Sequence, residues 1–450
     1  MKRASKFISI ALSAFIALSL TACGQNNGGN ANSASTPKPS DPAASNAAAE
    51  TEKPQEDVTI RVSYWAGTQL TIDAHNKVVE LFEKAYPHIN VESEYAPGGE
   101  YNDKILVQAA SDTLPDVIRT DYSQINNYVS KGLLAPLDEF VADKTIDLEG
   151  VNPMHVDVGR VDGKLYGINI GNNALVLYYD PDKLKEAGVT LPEGEYTWEQ
   201  YEKDLQTVKD KLDIAGDSHY GQSQFEIWLR QNDAKLYAAD GKSLGYEDDG
   251  LFTTFFDTQL RLQKKGLLSS IAVESEIKAL EDGPFPKGQA AFGGYGYWSN
   301  SHSDVFVKQL GKQVGFSFFP GPTKGAYIKP SFFHGVWSKS KHPVEAATFI
   351  EFYTNNIEAA KSLNGYFGFA YNPKVLAGLE GTFSENQKLI VDFLAKVEKQ
   401  GSPIDPPAPA AGSEVSAAFK NIASEIFYEK LSPADGATRF REEASKILSK

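Results

Sequence analysis

The chain has a single cysteine, Cys23, in 450 residues. It therefore cannot form an internal disulfide and has no second thiol to serve as a nucleophile or metal ligand. Histidine is also scarce. The seven, at 75, 88, 155, 219, 302, 334 and 342, include no pair at zinc-ligand spacing, and the His-Glu-x-x-His signature is absent, so neither a zinc carrier nor a zinc protease is indicated. Basic residues are in deficit, 44 Lys and Arg against 59 Asp and Glu, for a formal charge of −15. With no basic stripe, such a chain lacks the cations that supply most affinity for nucleic acid. Long apolar runs are missing too. The only candidate, over 7–20, is too short to span a bilayer comfortably.

That short run is the middle of an export signal. Lys2, Arg3 and Lys6 precede it, and Leu20-Thr21-Ala22-Cys23 closes it with the small residues and cysteine of a lipobox. The expectation is cleavage of residues 1–22 and a lipid on Cys23, which gives a lipoprotein on the extracellular face of a cell membrane. Residues 24–57 are Asn, Gly, Ala, Ser, Pro and Thr with a few charges and no aromatic or large aliphatic residue. They cannot bury enough surface to fold. As a flexible tether they would hold the rest of the chain about 30 Å from the lipid on average.

From Val58 onward the pattern is that of strands alternating with helices. Residues 58–64 alternate apolar and polar, and Val78, Val79, Phe82 and Tyr86 recur at helical spacing until Pro87. Residues 89–95 alternate again, 100–110 read as helix, and Asp116-Val117-Ile118-Arg119 as a short strand. Asp162-Gly163 marks a turn, 174–179 a strand, and Thr197 with Gln200 the start of a capped helix to about Leu212. A helix is predicted over 251–265. The stretch 285–298 reads as a loop running into a strand, and 332–338 as another strand. Helices fill most of 343–363, 384–399, 413–429 and 432–449, with an irregular connection at 403–409. Alternation of this kind predicts an α/β fold.

Four segments in this order resemble the extracellular solute-binding proteins of carbohydrate ABC transporters, the family that includes maltose-binding protein. They are Leu114-Pro115-Asp116-Val117-Ile118 with Lys131-Gly132-Leu133-Leu134-Ala135-Pro136-Leu137, Gly163-Lys164-Leu165-Tyr166-Gly167-Ile168 with Tyr178-Tyr179-Asp180, Gly288-Gln289-Ala290-Ala291-Phe292 with Gly296-Tyr297-Trp298, and Ser340-Lys341-His342-Pro343 with Ala346-Ala347-Thr348-Phe349-Ile350. The resemblance covers nearly all of 58–450. It departs from the family pattern at Asn169, usually proline, and at Asn172 and Asn173. It implies a two-lobed periplasmic-binding-protein-like α/β fold with a hinge and a ligand cleft between the lobes. Lobe one is expected over 58–169 plus 319–354, and lobe two over 170–318 plus 355–450. The resemblance also implies binding rather than catalysis, with no cofactor and no metal. The protein would act as a monomer that takes a carbohydrate, most simply an oligosaccharide, to the transmembrane subunits of an ABC permease. A surface-anchored carbohydrate-active hydrolase, using two of the many carboxylates, and a receptor for a non-sugar solute such as a peptide are the alternatives.

A sugar needs aromatic platforms for its C–H face beside fixed donors and acceptors for its hydroxyls. Candidates stand where strands end, as open sheets place ligands. Trp65 with Thr68 and Gln69 follows the first strand, the alternative for Trp65 being core packing. Asp121 and Tyr122 follow the strand at 116–119, with Asp121 as a helix cap the other reading. Asn172 and Asn173 fall at the first lobe crossing, where plain turn residues would also serve. Trp228 lies on a helix and packs equally well in a core. Tyr295 and Trp298 stand in the Gly-rich stretch 293–298, whose glycines would let the backbone approach a ligand. His334 and Trp337 lie on the returning strand, where a satisfied interior histidine is the commoner reading of His334, and Phe367 lies in the Gly-rich stretch 365–369. Arg119 and Arg230, near these segments, leave room for a uronate.

Overall fold

The computed structural model describes residues 56–449 apart from 297 and 300. The export signal, Cys23 and nearly all of the expected tether lie outside the described residues. The strands are, in chain order, β1 (Val58–Trp65), β2 (Ile89–Ala96), β3 (Val117–Thr120), β4 (Arg160–Val161), β5 (Lys164–Leu165), β6 (Ile168–Asn169), β7 (Asn172–Asn173), β8 (Leu177–Tyr179), β9 (Phe292–Gly293), β10 (Gly315–Ser317), β11 (Lys329–Pro330) and β12 (Phe333–Val336).

The first sheet has the order β2-β1-β3-β12-β6. β1 runs parallel to β2 and β3, while β12 returns antiparallel between β3 and β6. The parallel β1–β2 step needs a crossover, and helix Gln69–Ala85 supplies it. Thr68 starts that helix: its hydroxyl accepts the Thr71 amide at 3.3 Å, and the Thr71 hydroxyl accepts the Thr68 amide at 3.2 Å. Val78 and Phe82, the expected apolar face, are fully buried. Asp162 and Gly163 turn β4 into β5 with φ of 49° and 80°, the left-handed pair a tight hairpin demands.

At the centre of this sheet sits Arg119, fully buried, with no carboxylate partner among the described residues. Its Nε donates to His334 Nε2 at 3.1 Å, its Nη2 to the Tyr353 hydroxyl at 2.8 Å and its Nη1 to the Trp65 carbonyl at 3.4 Å. The Phe367 ring lies 4.2 Å from the guanidinium carbon, with Tyr64, Phe332 and Tyr353 all within 6 Å. Ring faces take over part of what an anion would supply.

The second sheet is antiparallel, in the order β10-β8-β9. Helices Gln222–Gln231, Gly250–Lys264, Gly412–Phe427 and Pro433–Leu448 build its principal core, in which Phe225, Phe252, Phe256, Phe419 and Phe440 pack ring to ring. Thr197 caps helix Trp198–Leu212 as expected, accepting the Gln200 amide at 3.1 Å. The expected strands are shorter than the sequence pattern. Among the described residues of 285–298 only Phe292–Gly293 joins the ladder, with Trp298 forming an isolated bridge to Leu175; Pro286 and Gly288 precede the strand, and Gly294 and Gly296 follow it.

The molecule is therefore a two-lobed α/β protein, each lobe with its own sheet, joined at a waist. There β7 pairs with β11, and Asn172 exchanges backbone hydrogen bonds with Phe369 at 2.7 and 2.9 Å. Gly171 is needed at this crossing, since a Cβ would lie 2.7 Å from the Gly368 carbonyl carbon. Helix Pro343–Asn355 ends at Asn356, which caps a separate helix, Ile357–Leu363. Ala359, Leu363 and Phe367 share the first sheet's core with Ile60 and Val62, although they lie beyond the crossing expected near Thr354. Among the described residues no helix is long and apolar enough to cross a membrane.

His75 and His334 are fully buried beside Arg119, and burial, then the Arg119 charge, holds both imidazoles well below the usual value of 6.5. A depressed folded-state value contributes stability that is present above the unfolded value and is lost as pH falls below it. His334→Gln keeps an acceptor for Arg119 but does not titrate. The variant should therefore lose less melting temperature than the wild type between pH 7 and pH 5; parallel curves in calorimetry would contradict this account.

Candidate functional site

β3 is parallel to β1, and at its carboxyl end the chain turns through Asp121 and Tyr122 into helix Ile125–Ser130. Across from this turn, helix Gln222–Gln231 presents Glu226 and Arg230, one turn apart on the same face. Tyr327, just before β11, and Lys329, on it, approach from the waist, and the segment 404–410 closes the remaining side. These elements enclose a cavity of about 550 Å³. A second cavity, of about 210 Å³ and largely apolar, lies against Ile170, Thr354, Phe369 and Phe383.

The larger cavity is held together by Arg230. Its Nε donates to the Gly325 carbonyl at 3.0 Å; its Nη2 donates to the Ser402 hydroxyl and carbonyl and the Pro403 carbonyl at 2.6, 3.1 and 2.8 Å; its Nη1 stands 2.8 Å from the Asp405 carboxylate. Lys235 pairs with the other Asp405 oxygen at 3.1 Å. The segment is tied to the first lobe as well: Tyr122 donates its hydroxyl to the Asp405 carbonyl at 2.8 Å, and Ile404 packs on the apolar cluster around Ile118 and Tyr128. Glu226, half-buried, accepts from Gln222 Nε2 at 2.8 Å, and burial, reinforced by Asp405, pushes its carboxyl up to about 7. The hydroxyls of Tyr122, Tyr237 and Tyr327 are all held protonated by burial, so each can donate.

Of the residues the sequence singled out, Asp121 and Tyr122 line this cavity. Asp121 also accepts the Ser123 amide at 2.8 Å, which holds the turn ahead of the helix; the helix itself begins after Gln124 without a side-chain cap, so Asp121 is not its cap. Trp298 is half-buried beside it, with Lys329 Nζ 5.1 Å from its ring centroid. Tyr295 is 43% exposed. Trp65 packs on Phe332, centroids 4.9 Å apart, and its indole N–H is buried without a partner among the described residues.

The others are placed elsewhere. Thr68 is the helix cap, and Gln69 is exposed, bonding Asp73 at 2.8 Å. Asn172 and Asn173 are buried in the waist, where Asn172 bonds Asn169 and His155 and Asn173 accepts from Ser299. Trp228 stands two residues from Glu226 and Arg230, on the opposite side of the helix. There it meets Trp198 edge to face and donates to the Leu251 carbonyl at 3.0 Å. His334 and Phe367 are interior partners of Arg119, which is itself closed off from the cavity. Trp337 is at the wrong edge of the sheet. Because β12 is antiparallel, Phe333 pairs with Thr120 near the cavity and Val336 with Val117 far from it, and Trp337 follows Val336 to bridge Leu134.

The glycines of 293–296 serve packing rather than ligand approach. A Cβ on Gly294 would lie 2.4 Å from the Tyr220 ring, and the Gly294 amide donates to buried Asp217 at 2.8 Å. Gly241-Lys242-Ser243-Leu244-Gly245 has the spacing of a hydrolase nucleophile elbow but not its strand-to-helix context. Ser243 is exposed, and no side chain hydrogen-bonds its hydroxyl among the described residues. No group of three or more His, Cys, Asp or Glu placed to hold a metal occurs among the described residues.

Sequence reasoning missed Glu226, Tyr237, Tyr327, Lys329 and Asp405. A usable signal existed for two of them. Gln222, Glu226 and Arg230 form a polar row at four-residue spacing along one face of a helix that buries Phe225, Ile227 and Leu229, and Asp405 is the one charge in a proline-rich connection between two helices.

The sequence profile of the family described as bacterial extracellular solute-binding protein matches residues 67–360. The arabinooligosaccharide-binding protein of Bacillus subtilis (strain 168) is 25% identical over 151 residues, 33% of this chain and 34% of that protein. This chain therefore spans about a third of that relative's length. Among solved structures, an extracellular solute-binding protein family 1 member from Alicyclobacillus acidocaldarius is 27% identical with a TM-score of 0.76, covering 88% of this chain and 100% of that one. A periplasmic oligogalacturonide binding protein from Yersinia enterocolitica shares the fold at 21% identity and a TM-score of 0.70, over 87% of this chain and 98% of that one.

Proposed function

The chain belongs to the bacterial extracellular solute-binding proteins, and we propose that it is the substrate-capturing lipoprotein of an ABC importer for a carbohydrate, an oligosaccharide in particular. The observation that carries this reading is the cavity of about 550 Å³ between the first lobe's Asp121–Tyr122 turn and the second lobe's helix Gln222–Gln231. It has the size of a small-molecule site and mixes tyrosine rings with paired charges and a half-buried carboxylate, the combination a polyhydroxylated ring requires. The arabinooligosaccharide-binding relative supports a sugar of more than one unit. Asp121, Tyr122, Glu226, Tyr237, Tyr327 and Lys329 are the proposed contacts, with Trp298 a platform at the margin.

The mechanism is capture without catalysis. Lobe one is taken as 58–169 plus 319–354, joined by helix Ile357–Leu363, and lobe two as the remainder of 170–450. Segments 171–173 and 319–325 would absorb the change of angle between the lobes. A ligand touching both lobes only when they are closed shifts the population toward the closed form by its differential affinity. The closed monomer would then dock on the permease. Cys23, carrying a lipid, would keep it on the extracellular face of the membrane.

The full-length protein, in a detergent without sugar groups, should be stabilised by about 2.7 kcal/mol by its ligand at 100 times the dissociation constant, and tryptophan fluorescence should change with it. The sugar should be recovered unchanged. A response to peptides alone would refute the carbohydrate assignment, and cleavage products would refute capture without catalysis. Cys23→Ser should move the protein from the membrane fraction to the aqueous one; retention on membranes would contradict the lipid anchor.

A further inference from the structure

The cations around the cavity are already taken. Arg230 engages Nε, Nη1 and Nη2 with Gly325, Ser402, Pro403 and Asp405. Lys235 is 3.1 Å from Asp405, and Lys329 lies 3.6 Å from Asp121 with the Trp298 ring on another side. A carboxylate that drew Arg230 away would cost it Gly325, Ser402 and Pro403 as well and leave Asp405 to Lys235 alone, and one that drew Lys329 away would leave Asp121 without its cation in a partly buried site. Stranding a buried charge costs more than a new pair returns. Arg119, the other guanidinium near this edge, is sealed in the first lobe's core.

The carboxylates do not balance in the same way. Asp121 and Asp405 face cations, and Asp240 accepts the Lys242 amide at 3.0 Å. Among the described residues Glu226 has no ion pair, and its only hydrogen bond comes from Gln222. A carboxylate has about four acceptor positions, so most of its capacity remains for a ligand. Burial opposes its ionised form, with the neighbouring Asp405, while the Gln222 hydrogen bond, Arg230 and Lys329 favour it; Tyr237 and Tyr327 line the same cavity. A pair of sugar hydroxyls donating to Glu226 would compensate it without adding charge, whereas a uronate would place a second anion beside it.

We infer that Glu226 is the specificity-determining residue of this cleft, and that it selects neutral oligosaccharides by their hydroxyls and rejects those bearing uronates. This rests on the carbohydrate reading above. The test is calorimetric titration of the full-length protein and of its Glu226→Gln variant with two sets of sugars. One set holds neutral hexose and pentose oligosaccharides of two to six units, the other uronate oligosaccharides of the same lengths. The wild type should bind a member of the neutral set at least about 100-fold more tightly than any uronate. E226Q should weaken that neutral sugar about 10- to 100-fold, the value of a charge-assisted hydrogen bond, while leaving uronate affinity unchanged or improved.

The variant's melting curve serves as a separate check of folding, and the wild-type comparison needs no variant. Uronate binding equal to or tighter than neutral binding would overturn the inference while leaving carbohydrate capture standing. Equal weakening of both sets in E226Q would reduce Glu226 to a structural role and overturn it too. Binding of neither set would overturn the carbohydrate reading together with it.

Discussion

One guanidinium, that of Arg230, fixes the shape of the cleft. It rises from a helix packed in the second lobe's aromatic core and reaches three consecutive kinds of acceptor on the segment 402–405, a carbonyl, a hydroxyl and a carboxylate. That segment then touches the first lobe through the Asp405 carbonyl and Ile404. Removing Asp405 would leave the buried Arg230 charge without an anion, and breaking a buried pair in this way costs about 3 to 5 kcal/mol. The wall of the cleft is therefore as well anchored as a core element, although it has neither helix nor strand geometry.

Arg119 and Arg230 show two ways of burying the same group. Arg119 has rings and neutral acceptors around it, which makes it a member of the first lobe's interior, where burial, then the Arg119 charge, holds His75 and His334 well below their usual value. Arg230 has an anion and sits at the surface of the cavity. Neither is free to bind a carboxylate ligand, so two arginines close to the cleft in the sequence do not make an anion site. The half-buried charge that remains without an ion pair among the described residues lining the cavity is that of Glu226.

Much of the fold was legible because its signals are local. The Thr197 cap, the Asp162-Gly163 turn, the apolar stripe of Val78 and Phe82 and the ends of β1 and β3 each depend on a few neighbouring residues, and each is found where expected. The proposed site was legible only in part. Asp121 and Tyr122 follow from the rule that ligands gather at strand carboxyl ends. Trp337 failed because strand direction is set by a partner over 200 residues away, and an antiparallel return carries its last aromatic to the far edge. Trp228 failed by two residues of helix, enough to turn it from the cavity to the core. Asp405 and Tyr327 lie in segments without periodicity, where only the folded chain brings them to Arg230.

The central claim is that the two lobes close on a sugar in the cleft between them. Small-angle X-ray scattering of the full-length protein, with and without a saturating neutral oligosaccharide, measures this directly. Closure predicts a smaller radius of gyration with the sugar bound, and no such change with a sugar that does not bind. An unchanged radius at demonstrated saturation would contradict it.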